Sequence, residues 1–376
     1  FRVTAALRPG YPGDRGIATS GRTHRVDEIT YEHSPGPNVR RASLPEFVER
    51  AAAELVKLAE RTRPQLIHAA SNHVNALPAL FAARRLGLPF VYEVRGLWEL
   101  TAATRNVNWE QTERFDQQRE LETLVAREAD RVLTLTNGLA DELVARGVAR
   151  ERITIVPNCV DPTKFAERLR DPELALHFGV EDSELTLVYA GSLLHYEGLD
   201  DVLRALALLI ADGVDAMFVI AGEGEATELL KQLVSELKLE QNVRFVGRLA
   251  PDEIPKLWAV ADVAAFARKP FRVCELVSPL KPLEPMAMGI PVVVSDVAAL
   301  REMVRHGETG LVHRAGDFED LARQLRELAR DPEKRRALGR AARESVLRER
   351  TWEGAGRTVV DSYRGLAGAF ATRGNP

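Results

Sequence analysis

The chain has 376 residues, 45% hydrophobic and 28% charged, with a formal net charge of −4. That length suggests two domains of ordinary soluble composition, and the slight acidity gives no global reason to expect a nucleic-acid partner. No run reaches the roughly 18 apolar residues of a membrane span, and the two cysteines, Cys159 and Cys274, stand too far apart in sequence to make a metal-type pair.

The first elements read as a strand over Phe1-Arg2-Val3-Thr4-Ala5 and a loop at Pro9-Gly10-Tyr11-Pro12-Gly13. Residues 8–43 are rich in Arg, Pro and Gly and predict loops and short strands. Leu44, Phe47, Val48, Ala51, Leu55 and Leu58 recur at helical spacing and predict a helix from Leu44 to Arg61. Next come strand Gln65–Ala70, helix Asn75–Leu86 ending at Gly87, and strand Phe90–Val94. A loop over Arg95–Asn108 precedes a charged helix from Trp109 to Ala129, then strand Val132–Leu135, helix Gly138–Arg146 and strand Ile153–Val156. Strand–helix alternation of this kind predicts a doubly wound parallel sheet.

Pro157-Asn158-Cys159-Val160-Asp161 is a turn and marks a domain boundary. Alternation resumes with strand Leu185–Ala190, helix Leu199–Ile210, strand Met217–Ala221, helix Ala226–Leu237 and strand Val243–Val246. Helix Pro251–Val260 and strand Val263–Phe266 lead into Glu275–Asp296, the stretch that carries the chemistry. There a loop with Pro279 and Pro282 opens a short helix, Leu283–Met288, ended by Gly289 and followed by the buried strand Ile290–Val294. Free amides of the first helical turn, with Lys281 just before them, suit a phosphate, and Glu284 one turn on suits a pair of sugar hydroxyls. Helices Arg301–Arg305, Phe318–Arg330 and Pro332–Arg348 follow, and a terminal helix begins at Thr351-Trp352.

Ser278-Pro279-Leu280-Lys281-Pro282-Leu283-Glu284 resembles the signature region of family 4 glycosyltransferases, which are retaining enzymes of the GT-B fold. The resemblance covers nearly the whole chain and is densest over residues 185–352. It implies an α/β chain with two doubly wound, Rossmann-like domains and a cleft between them. Residues 1–160 would form the acceptor-binding domain and 161–352 the domain that binds a nucleoside-diphosphate sugar. Residues 353–376 would be a terminal helix crossing back to the first domain. Family members carry an earlier strand, a Gly-rich loop and a helix, which the resemblance implies are missing here.

In the family the signature loop holds the donor diphosphate and its last Glu binds the ribose, which assigns Ser278, Leu280 and Lys281 to the diphosphate and Glu284 to the ribose. Gly191 stands at the end of a strand, where relatives follow it with an Arg and, further on, a Lys-Gly pair. Here those positions hold Ser192 and Glu197-Gly198. The expected substitutes are Lys281 first and Arg272 next, with Arg268 and Lys269 also available. Phe245-Val246-Gly247-Arg248 matches the stretch whose backbone holds the base, placing Arg248 in the donor site. Gly222-Glu223-Gly224 reads as a packing turn.

Arg95 stands where many relatives have a His, and as a fixed charge it suits a departing diphosphate. Glu275 stands near the family's first Glu, but eight residues rather than seven separate it from Glu284. Catalysis would therefore rest on Arg95, Lys281 and Glu275. His68 and His73, near a strand end, are either acceptor contacts or structural. No metal and no cofactor are expected, the nucleotide sugar being a substrate. A sugar, a lipid-linked molecule or a small molecule would serve as acceptor. The expected setting is the cytoplasm, where two buried thiols fit, with peripheral membrane contact left open and the oligomeric state undetermined. A non-catalytic nucleotide-sugar-binding relative and a nucleotide-sugar epimerase remain alternatives.

Overall fold

The computed structural model describes all residues except Phe1, 18–20, 107, 169, 182 and 374–376. The expected strand start at Phe1 and the last three residues of the terminal segment fall outside this set. The chain forms two compact units. One comprises Phe1–Leu135, Leu139–Val156 and Val359–Pro376, and the other Thr136–Gly138 and Pro157–Thr358.

In the first unit β1 (Thr4–Ala6), β2 (Thr23–Val26) and β3 (Ile29–Glu32) make a small sheet of their own in the order β1-β3-β2. Four parallel strands form the second sheet: β4 (Ile67–Ala70), β5 (Phe90–Val94), β6 (Arg131–Thr134) and β7 (Ile153–Ile155). Helix Leu44–Thr62 buries Phe47, Val48, Ala51 and Leu58 on one face and packs on helix His73–Leu86. Ser43 caps its start by accepting from the Glu46 amide, and Pro45 needs no hydrogen bond there.

The second unit holds six parallel strands in the order β10-β9-β8-β11-β12-β13. They are β8 (Leu185–Ala190), β9 (Ala216–Ala221), β10 (Val243–Gly247), β11 (Val263–Phe266), β12 (Val292–Ser295) and β13 (Leu311–His313). All residues of β8, β9, β11 and β12 are buried, as their nearly continuous apolar runs, interrupted only by Thr186 and Ser295, require of strands covered on both faces. Each fully buried Val, Leu or Phe contributes about 1.5–3 kcal/mol. From β8 the chain builds outward through β9 and β10, then returns to β11 on the other side and continues to β12 and β13. The order reverses between β8 and β11, so their carboxyl ends flank the position where open α/β sheets take ligands.

Several boundaries differ from the sequence expectation, each for a local reason. The single helix expected over Trp109–Ala129 is a short 3-10 turn, Trp109–Gln111, and a helix Glu113–Glu128, because Thr112 caps the second by accepting from the Phe115 amide. The expected loop after Arg95 contains helix Trp98–Ala103, which buries Glu99 against Arg146 at 2.9 Å. Helix Pro251–Val260 shortens to Ile254–Trp258, since a turn at Ala250–Glu253 uses the first amides. Strand β12 starts at Val292, two residues late, because Pro291 has no N–H and the Ile290 amide donates to Pro285 O. The helix expected at Arg301–Arg305 lies instead at Ala298–Arg301, where Glu275 accepts from the Ala298 amide at 2.7 Å. The terminal helix runs Trp352–Arg373. Among the described residues no helix is long and apolar enough to cross a membrane.

Gly222 follows β9 with φ of 132°, and a Cβ there would stand 1.8 Å from Gly191 O. The two loops after β8 and β9 can therefore touch only through glycine. Gly222→Ala is expected to lower stability by about 2–5 kcal/mol, from backbone strain plus overpacking. Gly307→Ala, with φ of 76° and open space around it, is the control and should cost only about 1–2 kcal/mol. Urea denaturation of both variants measures the difference, and equal losses would contradict the close approach.

Candidate active site

The carboxyl ends of β8 and β11 bring together residues distant in sequence. Past β8 the chain runs through Gly191 and Ser192 to the 3-10 turn His195–Glu197, which buries the Glu197 side chain to 1% exposure. Past β11 come Arg268 and Lys269. Glu197 Oε1 accepts from Lys281 Nζ at 2.8 Å and from Arg268 Nη2 at 3.0 Å, and its Oε2 accepts from Arg268 Nε at 3.3 Å. Arg268 Nη1 donates to Val277 O at 3.0 Å. Lys281 Nζ also donates to the Tyr189 hydroxyl at 2.8 Å and lies 5.2 Å from that ring's centroid. Its stem lies against Gly191, where a Cβ would stand 2.4 Å from Lys281 Cε.

This arrangement corrects the expectation that Glu197 simply removes a positive charge, and it ties Arg268, one of the available substitutes, to that carboxylate. Both are buried, and Glu197 holds two cations on one carboxylate, leaving the cluster a net positive charge. Burial alone would push the Glu197 carboxyl up, but Arg268 and Lys281 outweigh it and hold it below the ordinary range. Burial works against the Arg268 charge, and Glu197 more than offsets that. For Lys281 burial prevails: despite Glu197, and with Arg268 adding to the effect, its ammonium sits below the usual lysine range. Burial and the nearby Glu197 raise the Tyr189 phenol well above its usual value, so it remains neutral. Cys274 is buried, and burial pushes its thiol up to about 12.

The signature loop is braced from elsewhere in the same unit. Asn158 Nδ2 donates to Ser278 O at 2.8 Å and to Ser278 Oγ at 3.4 Å. The helix after the loop is only Leu283–Ala287, and the Leu283 amide already donates to Leu280 O. The expected set of free first-turn amides is thus smaller than the sequence suggested. Glu284 Oε2 accepts from the indole N–H of the fully buried Trp258 at 3.1 Å. Among the described residues Glu284 Oε1 has no partner. Burial pushes this carboxyl up, and the Trp258 hydrogen bond works in the opposite direction.

Other expected site residues are less gathered. Glu275 is committed to the Ala298 amide, a capping role that the sequence did not indicate. Ser192, Arg248, Arg272 and Leu280 are exposed, and Lys269 pairs with Asp200 at 2.5 Å. In the first unit Arg95 is exposed and its Nη2 donates to Glu93 Oε2 at 3.1 Å. His68 Nε2 lies 3.3 Å from the same oxygen, and His68 Nδ1 meets the Tyr363 hydroxyl. His73 is a buried partner of Glu122 at 3.1 Å, a structural role. Glu197, Tyr189, Trp258 and Asn158 were missed as functional groups: Glu197 and Asn158 stood at motif positions but read as a lost charge and a turn, and Tyr189 and Trp258 act through contacts across the sheet.

Comparison with known proteins accords with this geometry. Residues 176–345 match the family described as glycosyl transferases group 1, and residues 1–159 match the glycosyl transferase 4-like domain. Together the two matches place the chain in the GT-B glycosyltransferase group 1/4 family. The enzyme is 28% identical over 319 residues to the glycogen synthase of Mycobacterium tuberculosis, covering 84% of the chain and 72% of that protein. Sucrose-phosphate synthase from Thermosynechococcus elongatus is 19% identical with a TM-score of 0.74, covering 98% of this chain and 90% of that one. Anabaena HepE in complex with UDP-glucose is 20% identical with a TM-score of 0.69, covering 90% and 86%. Those likenesses establish the GT-B fold of the glycosyltransferase.

The Glu93 cluster makes a prediction about pH. Burial pushes the Glu93 carboxyl up, but His68 and Arg95 bring it down to about 2. A carboxyl depressed by folding contributes stability above its unfolded value of 4.5 and loses it as pH falls through the folded value. Glu93→Gln should therefore be less stable than the parent at pH 7, and the gap should close as pH drops from 4.5 toward about 2. Paired urea titrations across that range measure it, and a gap independent of pH would count against the ion-pair account.

Proposed function

We propose that this glycosyltransferase takes a nucleoside-diphosphate sugar in its second unit and transfers the sugar to an acceptor hydroxyl with retention of anomeric configuration. The carrying observation is the pairing of two incompletely used groups near the switch of the sheet order. Lys281 has three N–H donors and spends two on Glu197 and Tyr189, which leaves one. Glu284 keeps Oε1 unpartnered among the described residues. A cation for a diphosphate and a carboxylate for ribose hydroxyls are what such a donor needs. UDP-glucose in the similarly folded HepE supports the same class of donor.

In the reaction, the bond between the anomeric carbon and the diphosphate oxygen breaks, and its electron pair leaves with the nucleoside diphosphate. The acceptor oxygen bonds to that carbon on the same face and gives up its proton to the departing diphosphate oxygen. Lys281 stabilises the charge that develops on the departing diphosphate, the interaction that grows most in the transition state. Arg95, the exposed cation of the first unit, is the second proposed catalytic group. Glu275 enters only if it exchanges its Ala298 contact for the sugar. Gly191, Ser192, Arg248, Arg272, Ser278 and Leu280 complete the proposed donor contacts. A sugar, lipid-linked or small-molecule hydroxyl compound is the proposed acceptor, and no metal is required for these steps.

Two substitutions test the assignment. Glu284→Ala should weaken UDP binding by about 1.5–3 kcal/mol, the range for hydrogen bonds to a charged group, and leave pyrophosphate binding unchanged. Calorimetry with both ligands decides it, and an equal loss for both would reject the ribose role. Lys281→Ala should lower kcat at least about tenfold, or roughly 1.4 kcal/mol of barrier, while uridine binds as before. Full activity in Lys281→Ala with loss only in Arg272→Ala would place the diphosphate on the preceding loop. Donor binding without turnover would point to a binding protein, and release of a free epimer to an epimerase.

A further inference from the structure

Glu197 stands where the family carries a lysine, and it is among the most deeply buried carboxylates of the second unit. A carboxylate at that depth without partners would take up a proton. This one instead has charge-assisted contacts on both oxygens, to Lys281 at 2.8 Å and to Arg268 at 3.0 and 3.3 Å. Arg268 donates from its other terminal nitrogen to Val277 O, so among the described residues its hydrogen bonds all serve the fold. Lys281 differs. Glu197 and the Tyr189 hydroxyl hold two of its donors, Gly191 supports its stem, and its side chain retains 21% exposure. One N–H of the ammonium is left unspent by these two contacts.

We propose that Glu197 is a positioning residue that holds Lys281 as an oriented, charged ammonium at the carboxyl end of β8, ready for the diphosphate of the donor. The lysine absent from position 197 is thus replaced by a carboxylate that fixes another lysine, 84 residues later, beside the same strand end. This rests on the donor reading above and adds to it a residue that does not itself touch the donor.

The groups facing Lys281 give the role a sign. Glu197 favours its charged form, whereas burial and Arg268 oppose it. Tyr189 is neutral, buried Cys274 remains a thiol, and Glu284, whose carboxyl burial raises and the Lys281 charge lowers, is the other carboxylate nearby. Without the Glu197 charge, only the opposing influences of burial and Arg268 remain strong, so Lys281 should lose its proton at lower pH. Without Arg268 the balance moves the other way.

Acetylation of Lys281 by acetic anhydride, followed across pH by mass spectrometry, reads this directly in the full chain. In Glu197→Gln the midpoint should fall by about one pH unit or more, and in Arg268→Gln it should rise. If circular dichroism shows Glu197→Gln unfolded, the Arg268→Gln shift decides alone. Unchanged midpoints would overturn the brace. UDP binding supplies the functional arm: Glu197→Gln should lose affinity progressively between pH 6 and 9, at least about tenfold more than the parent over that range. A loss independent of pH would mean a merely structural role and would overturn the proposal. If the parent binds neither UDP nor GDP, the donor reading falls and takes the diphosphate half of the proposal with it, while the acetylation result still decides the brace.

Discussion

The carboxylate of Glu197, shared between Arg268 and Lys281, is the contact on which the second unit's site depends. Removing three charged groups from water is expensive, and it is tolerated only because each oxygen and most donors find a partner. The sheet makes this possible. Parallel strands β8 and β11 lie side by side, so the loops leaving their carboxyl ends start from adjacent points although they are more than 70 residues apart. Gly191 lets the Lys281 stem lie against the loop after β8, and Gly222 lets the loop after β9 approach that same backbone, at distances no other residue allows. Lys281 is thereby held at the strand end instead of sweeping through solvent on a flexible stem.

The first unit handles buried charge in the same manner but with a different outcome. Glu122 accepts from the Tyr92 hydroxyl and from the His73 amide, and Arg146 bridges Glu99 and Glu142. These networks lie within the core, and Glu99 meets Arg146 there as an ion pair. Burial pushes the Glu99 carboxyl up in spite of Arg146. The cluster of Glu93, His68 and Arg95 is more open, with Arg95 reaching solvent at 63% exposure. A buried network fixes a unique packing, whereas an exposed cation such as Arg95 remains available for exchange with a ligand.

Elements were legible where one local rule dominated. The apolar runs of β8, β9 and β12 admit only strands buried on both faces, and the helical spacing of Phe47, Val48, Ala51 and Leu58 gives one buried face. Boundaries were harder because a single side chain decides them. Thr112 splits one expected helix, Pro291 delays β12, and Glu275 moves a helix start to Ala298. Glu275 itself shows the limit: its place near a signature motif suggested catalysis, while its carboxylate is spent on a backbone amide.

The sequence by itself determined the alternation of strands and helices, the family resemblance and the position of the loop around Lys281 and Glu284. Those follow from local periodicity, turn residues and a short contiguous motif, all of which are written along one dimension. Only the tertiary structure decided what Glu197 and Arg268 do, which oxygen of Glu284 Trp258 occupies, and how Asn158 braces Ser278. Each of those is a contact between residues 26 to 120 positions apart. Whether a charge at such a site is lost, solvated or paired depends on its neighbours across the sheet, and the strand order that chooses those neighbours is a property of the packed fold.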